Sequence, residues 1–214
     1  MKHFSREIID GLPSRFKANL VNSCTGYKSS NLLATKSKSG VSNIAIFNSV
    51  IHIGSNPPML GFVLRPLTVR RNTYDNFKNT GYFTVNQVNT SILKDAHHTS
   101  AKYDAGVSEF SKTNLTEEYL DEFTAPYVKE SNIKIGCSYL NEYEIKENGC
   151  LLIIGAIEHI YLPENMQHED GWAQLDKAGT ITAIGLDGYA LPKLVDRFAY
   201  AKPDQETKSI LNGA

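Results

Sequence analysis

The segment Arg65-Pro66-Leu67-Thr68-Val69-Arg70-Arg71-Asn72-Thr73 has the residue types best suited to holding a ligand. The polar stretch Thr73 to Thr80, closed by Gly81, reads as a short helix, so this segment opens it. Arginines and a hydroxyl at a helix start can hold a phosphate: the guanidinium forks it, threonine donates, and the first-turn N–H groups point at it. The same residues also suit a capped helix with a basic rim. A second segment, Phe47-Asn48-Ser49-Val50, ends an apolar strand in small hydrogen-bonding residues. Both lie in an acid-free stretch. Between Asp10 and Asp75 stand Arg15, Lys17, Lys28, Lys36, Lys38, Arg65, Arg70 and Arg71, with no Asp or Glu among them. From Asp75 onward 21 acids oppose 12 bases, and the whole chain carries a net charge of −1. If the basic residues converge they make an anion site; if they do not, they form a solvated face that balances an acidic remainder. Charge alone favours the second.

Other chemistries find little support. His97 and His98 are adjacent, and neighbours on a helix point about 100° apart, so the pair does not converge on one metal ion. Cys24, Cys137 and Cys150 are odd in number and widely spaced, which argues against a disulfide framework or a cysteine zinc site. Each is expected to be a small buried apolar residue. There is no G-x-S-x-G, no phosphate-binding P-loop and no G-x-G-x-x-G. Glu142, Glu144 and Glu147 read as a solvated strand face, not as paired catalytic carboxylates. No catalytic residue is named from the sequence.

The elements that must position these residues belong to one domain. The chain has 214 residues and 23.8 kDa, 41% hydrophobic and 21% charged, which suits a single globular unit. No apolar run approaches the ~20 residues of a membrane span, and the start, MKHFSREIIDG, lacks the apolar core of a secretion signal. A cytoplasmic location is expected. Residues 1–15 read as a lead-in with a loose or short helix, and Phe16 to Val21 as a short strand. Asn31 to Thr35 and Val41 to Phe47 flank a polar turn ending in Gly40 and read as a hairpin. Asn56-Pro57-Pro58 reads as a hard stop before a strand over Met59 to Leu64. Tyr82 to Val88 is the clearest alternating strand, and Ser91 to His98 a helix capped by Thr90 or Ser91. Residues 100–130 are polar and loop-like, a length that points to function. Ile133 to Ile145 and Cys150 to Leu162 flank Asn148-Gly149, the strongest hairpin signal in the chain. The tail, Gly185 to Pro203, has no clear period. The sum is a mainly β, antiparallel barrel with short helices at its ends.

At this point the chain resembles the flavin reductase-like, FMN-binding split-barrel family that includes flavoredoxin-type proteins. Asn31-Leu32-Leu33-Ala34-Thr35 resembles its first barrel strand, and Val41-Ser42-Asn43-Ile44-Ala45-Ile46-Phe47-Asn48-Ser49 its N-x-A-x-x-(S/N) strand. Ser55-Asn56-Pro57-Pro58-Met59-Leu60-Gly61-Phe62 is similar to an N-P-P-x-(L/V)-x-F step. Arg71-Asn72-Thr73-Tyr74-Asp75-Asn76 is similar to (K/R)-(D/N)-T-x-x-N, and Gly81-Tyr82-Phe83-Thr84-Val85-Asn86 to G-x-F-x-V-N. Ser100 to Phe110 resembles a lid-like S-x-x-Y-x-x-G-x-(D/S)-E-F stretch. The match is clear from Asn31 to Phe110 and looser in the later hairpin and in Gly185-Leu186-Asp187-Gly188-Tyr189.

The resemblance implies a six-stranded Greek-key split barrel, a homodimer, and FMN in a groove near the subunit interface. It implies a phosphate against Asn48, Ser49, Arg71 and Thr73, with Arg65 at the phosphate or the ribityl chain. Phe47 and Val50 would border the flavin, and Tyr103 would lie over the side where a nicotinamide or acceptor enters. Some relatives carry a histidine where this chain has Tyr189. The implied activity is FMN-dependent NAD(P)H oxidoreduction of flavin reductase type, with hydride to flavin N5 and electrons onward to flavin, iron or a protein acceptor. Such chemistry needs two rings held at roughly 3–3.5 Å more than it needs acid or base. An FMN-binding electron carrier without NAD(P)H activity and a protein that treats flavin as a diffusing substrate remain alternatives. Binding of nucleic acid through the basic stretch would need interleaved aromatics, and residues 28 to 50 offer only Phe47.

Overall fold

Leu32, Leu33 and Ala34 form an unbroken apolar run, and the fold buries both faces of the strand that carries them. The computed structural model describes residues 1–104 and 106–211. Its helices are α1 (Arg6–Gly11), α2 (Ser14–Cys24), α3 (Asn72–Thr80) and α4 (Leu93–His98). The strands are β1 (Lys28–Ser29), β2 (Asn31–Lys36), β3 (Ser42–Phe47), β4 (Ile51–Ser55), β5 (Pro58–Leu64), β6 (Tyr82–Gln87), β7 (Glu117–Glu118), β8 (Tyr127–Val128), β9 (Lys134–Ile145), β10 (Cys150–Tyr161), β11 (Thr182–Ile184) and β12 (Gly188–Ala190). Seven of them make one antiparallel sheet in the order β3-β2-β6-β9-β10-β5-β4. Its two end strands, β3 and β4, are consecutive in the chain and joined by Asn48–Val50. Ser49 ties that joint to β5: its hydroxyl donates to the Val63 carbonyl at 3.0 Å and accepts the Val63 N–H at 3.2 Å.

Leu33, Leu60, Phe62, Phe83, Val85, Cys137 and Ile153 fill the inside of the curled sheet. Gly155 permits this packing, since a Cβ there would stand 2.5 Å from the Phe83 ring. Helix α3 seals one end. Phe77 enters the core against Phe62, Phe83 and Tyr139. Asn76 donates to Thr35 at 3.0 Å, and Gly81 ends the helix in the left-handed conformation at φ 84°. On the other face of β2, Leu32 and Ala34 pack with Ile44, Ile92, Ala96, Phe110, Leu115, Val128 and Ile181. Buried Asn86 joins the two layers, donating to the Leu32 carbonyl and accepting the Val128 N–H at 3.0 Å.

The mainly β antiparallel architecture matches the expectation, and the differences have local causes. Phe16 to Val21, expected as a strand, lies inside α2; Pro13 presets the entry to its first turn, and Phe16 and Leu20 fall on one helical face. Asn56-Pro57-Pro58 is not a stop but the turn of a β4–β5 hairpin, with a cis Asn56-Pro57 bond and Ser55 paired with Pro58. That fold-back adds one strand to the six expected. Helix α4 starts at Leu93, with Ile92 at the cap, because Ser91 gives its N–H and hydroxyl to Asn89 instead. The tail contributes β12, which pairs with β11. Cys137 is buried as expected and burial pushes its thiol well up, but Cys24 is exposed at the end of α2 and Cys150 half-buried. Ala105, inside the expected lid, and residues 212–214, at the end of the expected single domain, lie outside the described residues. Among the described residues no helix is long and apolar enough to cross a membrane.

Candidate functional site

The β3–β4 joint and the start of α3 are built around one interior cluster. Phe47 meets Phe62 edge-on with centroids 5.4 Å apart, and both Phe47 and Val50 pack on that cluster half-buried. Between them Asn48 and Ser49 are half-buried. Ser49 has committed its hydroxyl proton to Val63, so its main-chain N–H is the donor it retains for an anion. The Val50 carbonyl accepts from Ser29 at 3.0 Å. Arg65, two residues beyond Val63, is exposed.

Arg71 occupies the N-cap of α3 with extended backbone and makes no side-chain cap. Its carbonyl accepts the Asp75 N–H. Its Nε is buried and has no hydrogen-bond partner among the described residues. Two residues on, Thr73 is 5% exposed, and its Oγ1 accepts from Asn43 Nδ2 at 2.9 Å, leaving its own proton to give. The structure thus brings Phe47, Ser49, Val50 and the α3 start around one core. The rest of the basic stretch scatters. Arg15 pairs with Asp187, Lys17 and Lys28 bind main-chain carbonyls, Lys36 lies over the Tyr119 ring, and Arg70 pairs with Asp75 at 2.8 Å.

The pattern of residues did not reveal the network behind α3. Glu142, expected on a solvated face, lies opposite Ile153, which lies opposite Phe62, so it shares their inward face. Its Oε1 accepts the Tyr74 hydroxyl at 2.9 Å and stands 3.4 Å from Lys78 Nζ. Lys78 also donates to the Tyr139 hydroxyl at 2.9 Å. Burial and the bond to Glu142 raise the Tyr74 hydroxyl, and the bond to Tyr139 raises Lys78 despite its desolvation. The expectation failed because a bulge between Ile154 and Gly155 resets the in–out alternation of β9.

Tyr103 is placed elsewhere. Its hydroxyl shares a 2.8 Å hydrogen bond with His98 Nε2, while His97 Nδ1 shares one of 2.8 Å with the Tyr189 hydroxyl. The two imidazoles diverge to different tyrosines. Tyr189 packs with Ile46 and Leu93 on the outer cluster, the opposite side of β3 from Phe47. Among the described residues no group of three or more His, Cys, Asp or Glu could hold a metal ion. A further carboxylate, Glu109, is buried and accepts the Ile44 N–H at 3.0 Å, pinning the 100–130 segment to the outer edge of β3. Burial raises its carboxyl above the ordinary range.

Comparison with known proteins adds to this geometry. Residues 27–182 match the model of the flavin reductase like domain. A split-barrel protein of Shewanella frigidimarina, assigned as a flavin reductase, is 41% identical, with a TM-score of 0.91 over 94% of this chain and 100% of that one. Nitrilotriacetate monooxygenase component B from Bacillus cereus, 22% identical, covers 94% of this chain and 98% of its own at a TM-score of 0.79. Flavoredoxin of Desulfovibrio vulgaris, 20% identical, covers 83% and 91% at 0.69. At those two identities the likeness is one of fold.

Proposed function

The chain belongs to the family of flavin reductase like domains, and on that footing we propose that it is an FMN-dependent NAD(P)H oxidoreductase passing electrons to flavin, iron or a protein acceptor. Membership makes it a flavin-related oxidoreductase. The choice of FMN is supported by one observation above the others: the buried, unpartnered Arg71 Nε at the head of α3, among the described residues, next to a Thr73 hydroxyl with a proton to give. A phosphate monoester suits that pair and the first-turn N–H groups beside it.

In this reading Arg71, Thr73, the main-chain N–H of Ser49 and the side chain of Asn48 hold the phosphate. Arg65 reaches it, or the ribityl chain, from the exposed end of β5. Phe47 and Val50 give the ring system an apolar border. Tyr103, held by His98 on the far side of β3 from Phe47, is given no contact with the flavin in this reading. When bound, the flavin would supply the hydride chemistry between NAD(P)H and an acceptor. The residues of the chain bind and orient, and none is assigned as a catalytic acid or base. The working form is a cytoplasmic homodimer.

The test is an absorbance spectrum of the purified protein, before and after anaerobic NADH or NADPH. A flavin spectrum bleached by one of the two supports the proposal. A flavin spectrum bleached by neither selects the electron carrier, and a colourless protein that turns over added FMN selects flavin as a diffusing substrate.

A further inference from the structure

Thr73 and Asn76 stand three residues apart on α3, so both side chains lie on one face of the helix. That face rests on the β2–β3 ladder at Thr35 and Asn43, which are cross-strand partners. Two hydrogen bonds cross the contact in opposite directions. Asn43 Nδ2 of β3 donates to Thr73 Oγ1 at 2.9 Å, and Asn76 Nδ2 of the helix donates to Thr35 Oγ1 of β2 at 3.0 Å. All four residues are buried, none more than 8% exposed. Breaking either bond would leave polar atoms shut away from water, so the two ties hold the head of α3 on the ladder.

At Thr73 the direction of the bond matters as well as its presence. A threonine hydroxyl carries one proton and can also accept. Asn43 presents an N–H to Oγ1, so the Thr73 proton must turn away from Asn43. Among the described residues it is given to no acceptor. Two residues earlier stands Arg71, whose buried Nε is likewise without a partner among the described residues. The head of α3 thus carries two unspent donors, and the bond from Asn43 sets the direction of one of them.

We propose that Asn43 is a positioning residue for the flavin phosphate: it holds the Thr73 hydroxyl as a donor turned toward the ligand. This rests on the reading that Arg71 and Thr73 hold that phosphate. Asn43 acts only through Thr73. A carboxylate in its place would draw the Thr73 proton inward, and an apolar side chain would free the hydroxyl among its staggered settings.

The test is the ratio of FMN to riboflavin affinity, measured on the full-length protein, on Asn43→Leu and Asn43→Asp, and on both again in a Thr73→Val background. The ratio reads the phosphate and does not depend on the fraction of protein folded. Thr73→Val alone should lower it about tenfold. Asn43→Leu should lower it about threefold while the hydroxyl is present, and not at all in the Thr73→Val background. Asn43→Asp repels the phosphate in either background, and should lower the ratio about tenfold more with the hydroxyl than without it. Asn43→Leu carries the test if the aspartate variant does not fold. An unchanged ratio in Asn43→Leu or Thr73→Val, or equal losses with and without the hydroxyl, overturns the assignment while a preference for FMN through Arg71 stands. A wild-type protein that binds FMN no better than riboflavin overturns the phosphate reading itself, and this inference with it.

Discussion

At Arg71 the main chain and side chain have separate tasks: the carbonyl starts α3, and the guanidinium is left with a buried Nε that has no partner among the described residues. Arg71→Ala should therefore weaken FMN by about 1.5–3 kcal/mol, the range for a charged hydrogen bond, and riboflavin hardly at all. Titration of both ligands checks this, and equal losses would remove Arg71 from the phosphate. Glu109 makes a different residue-scale prediction. Burial raises its folded carboxyl above the unfolded value of about 4.3, so the folded state prefers the protonated form. Its contribution is present in full below the unfolded value and is lost as pH rises through the folded one. Glu109→Gln keeps an acceptor for the Ile44 N–H without a charge to desolvate. The variant should melt higher than wild type at neutral pH, with the gap closing as pH falls toward 4, in thermal melts across that range. Neither Glu109 nor Glu142 stood out in the sequence, because a carboxylate on a polar loop or an alternating strand looks solvated until packing shows what covers it.

Helix α3 was readable from its own residues: a polar run, an N-terminal arginine and a terminal glycine. What it does came from packing. Phe77 places the helix as a plug in the barrel, against Phe62, Phe83 and Tyr139, and so sets where Arg71 and Thr73 stand. Phe77→Ala should cost about 3–5 kcal/mol, the usual loss for a buried phenylalanine, measured by urea unfolding. A loss below about 1 kcal/mol would mean that α3 is not held by this contact. Strands with strong alternation or a turn signal, β2, β3, β6, β9 and β10, were found within a residue or two of their observed ends. Elements without such a signal are not legible from their own residues. Helix α2 exposes Phe16 and Val21 and buries no residue, and the pair Phe16 and Leu20 is too short a stripe to mark it as helical. The hairpin at Asn56-Pro57-Pro58 depends on β4 finding β5, which a local view of proline does not disclose.

Taken as a whole, the protein keeps Leu140 and Tyr143 of β9 exposed, at 50% and 57%. Large apolar groups in open solvent on a sheet suit the proposed homodimer. Light scattering should give twice 23.8 kDa for the wild type, and Leu140→Glu should shift it toward the monomer; a monomeric wild type would remove the dimer. The residue order was enough for the mainly antiparallel β class, for the hairpin turns after β2 and β9 and for the family, because these rest on local alternation, turn chemistry and short motifs that need no partner in space. It did not reach the scattering of half the basic stretch, the inward turn of Glu142 or the placing of Tyr103 with α4 on the far side of β3 from Phe47. Those depend on which strands pair, where a bulge resets the alternation and which side chain a neighbour already occupies. Such contacts join residues dozens of positions apart and come into being only when the sheet curls and α3 closes its end.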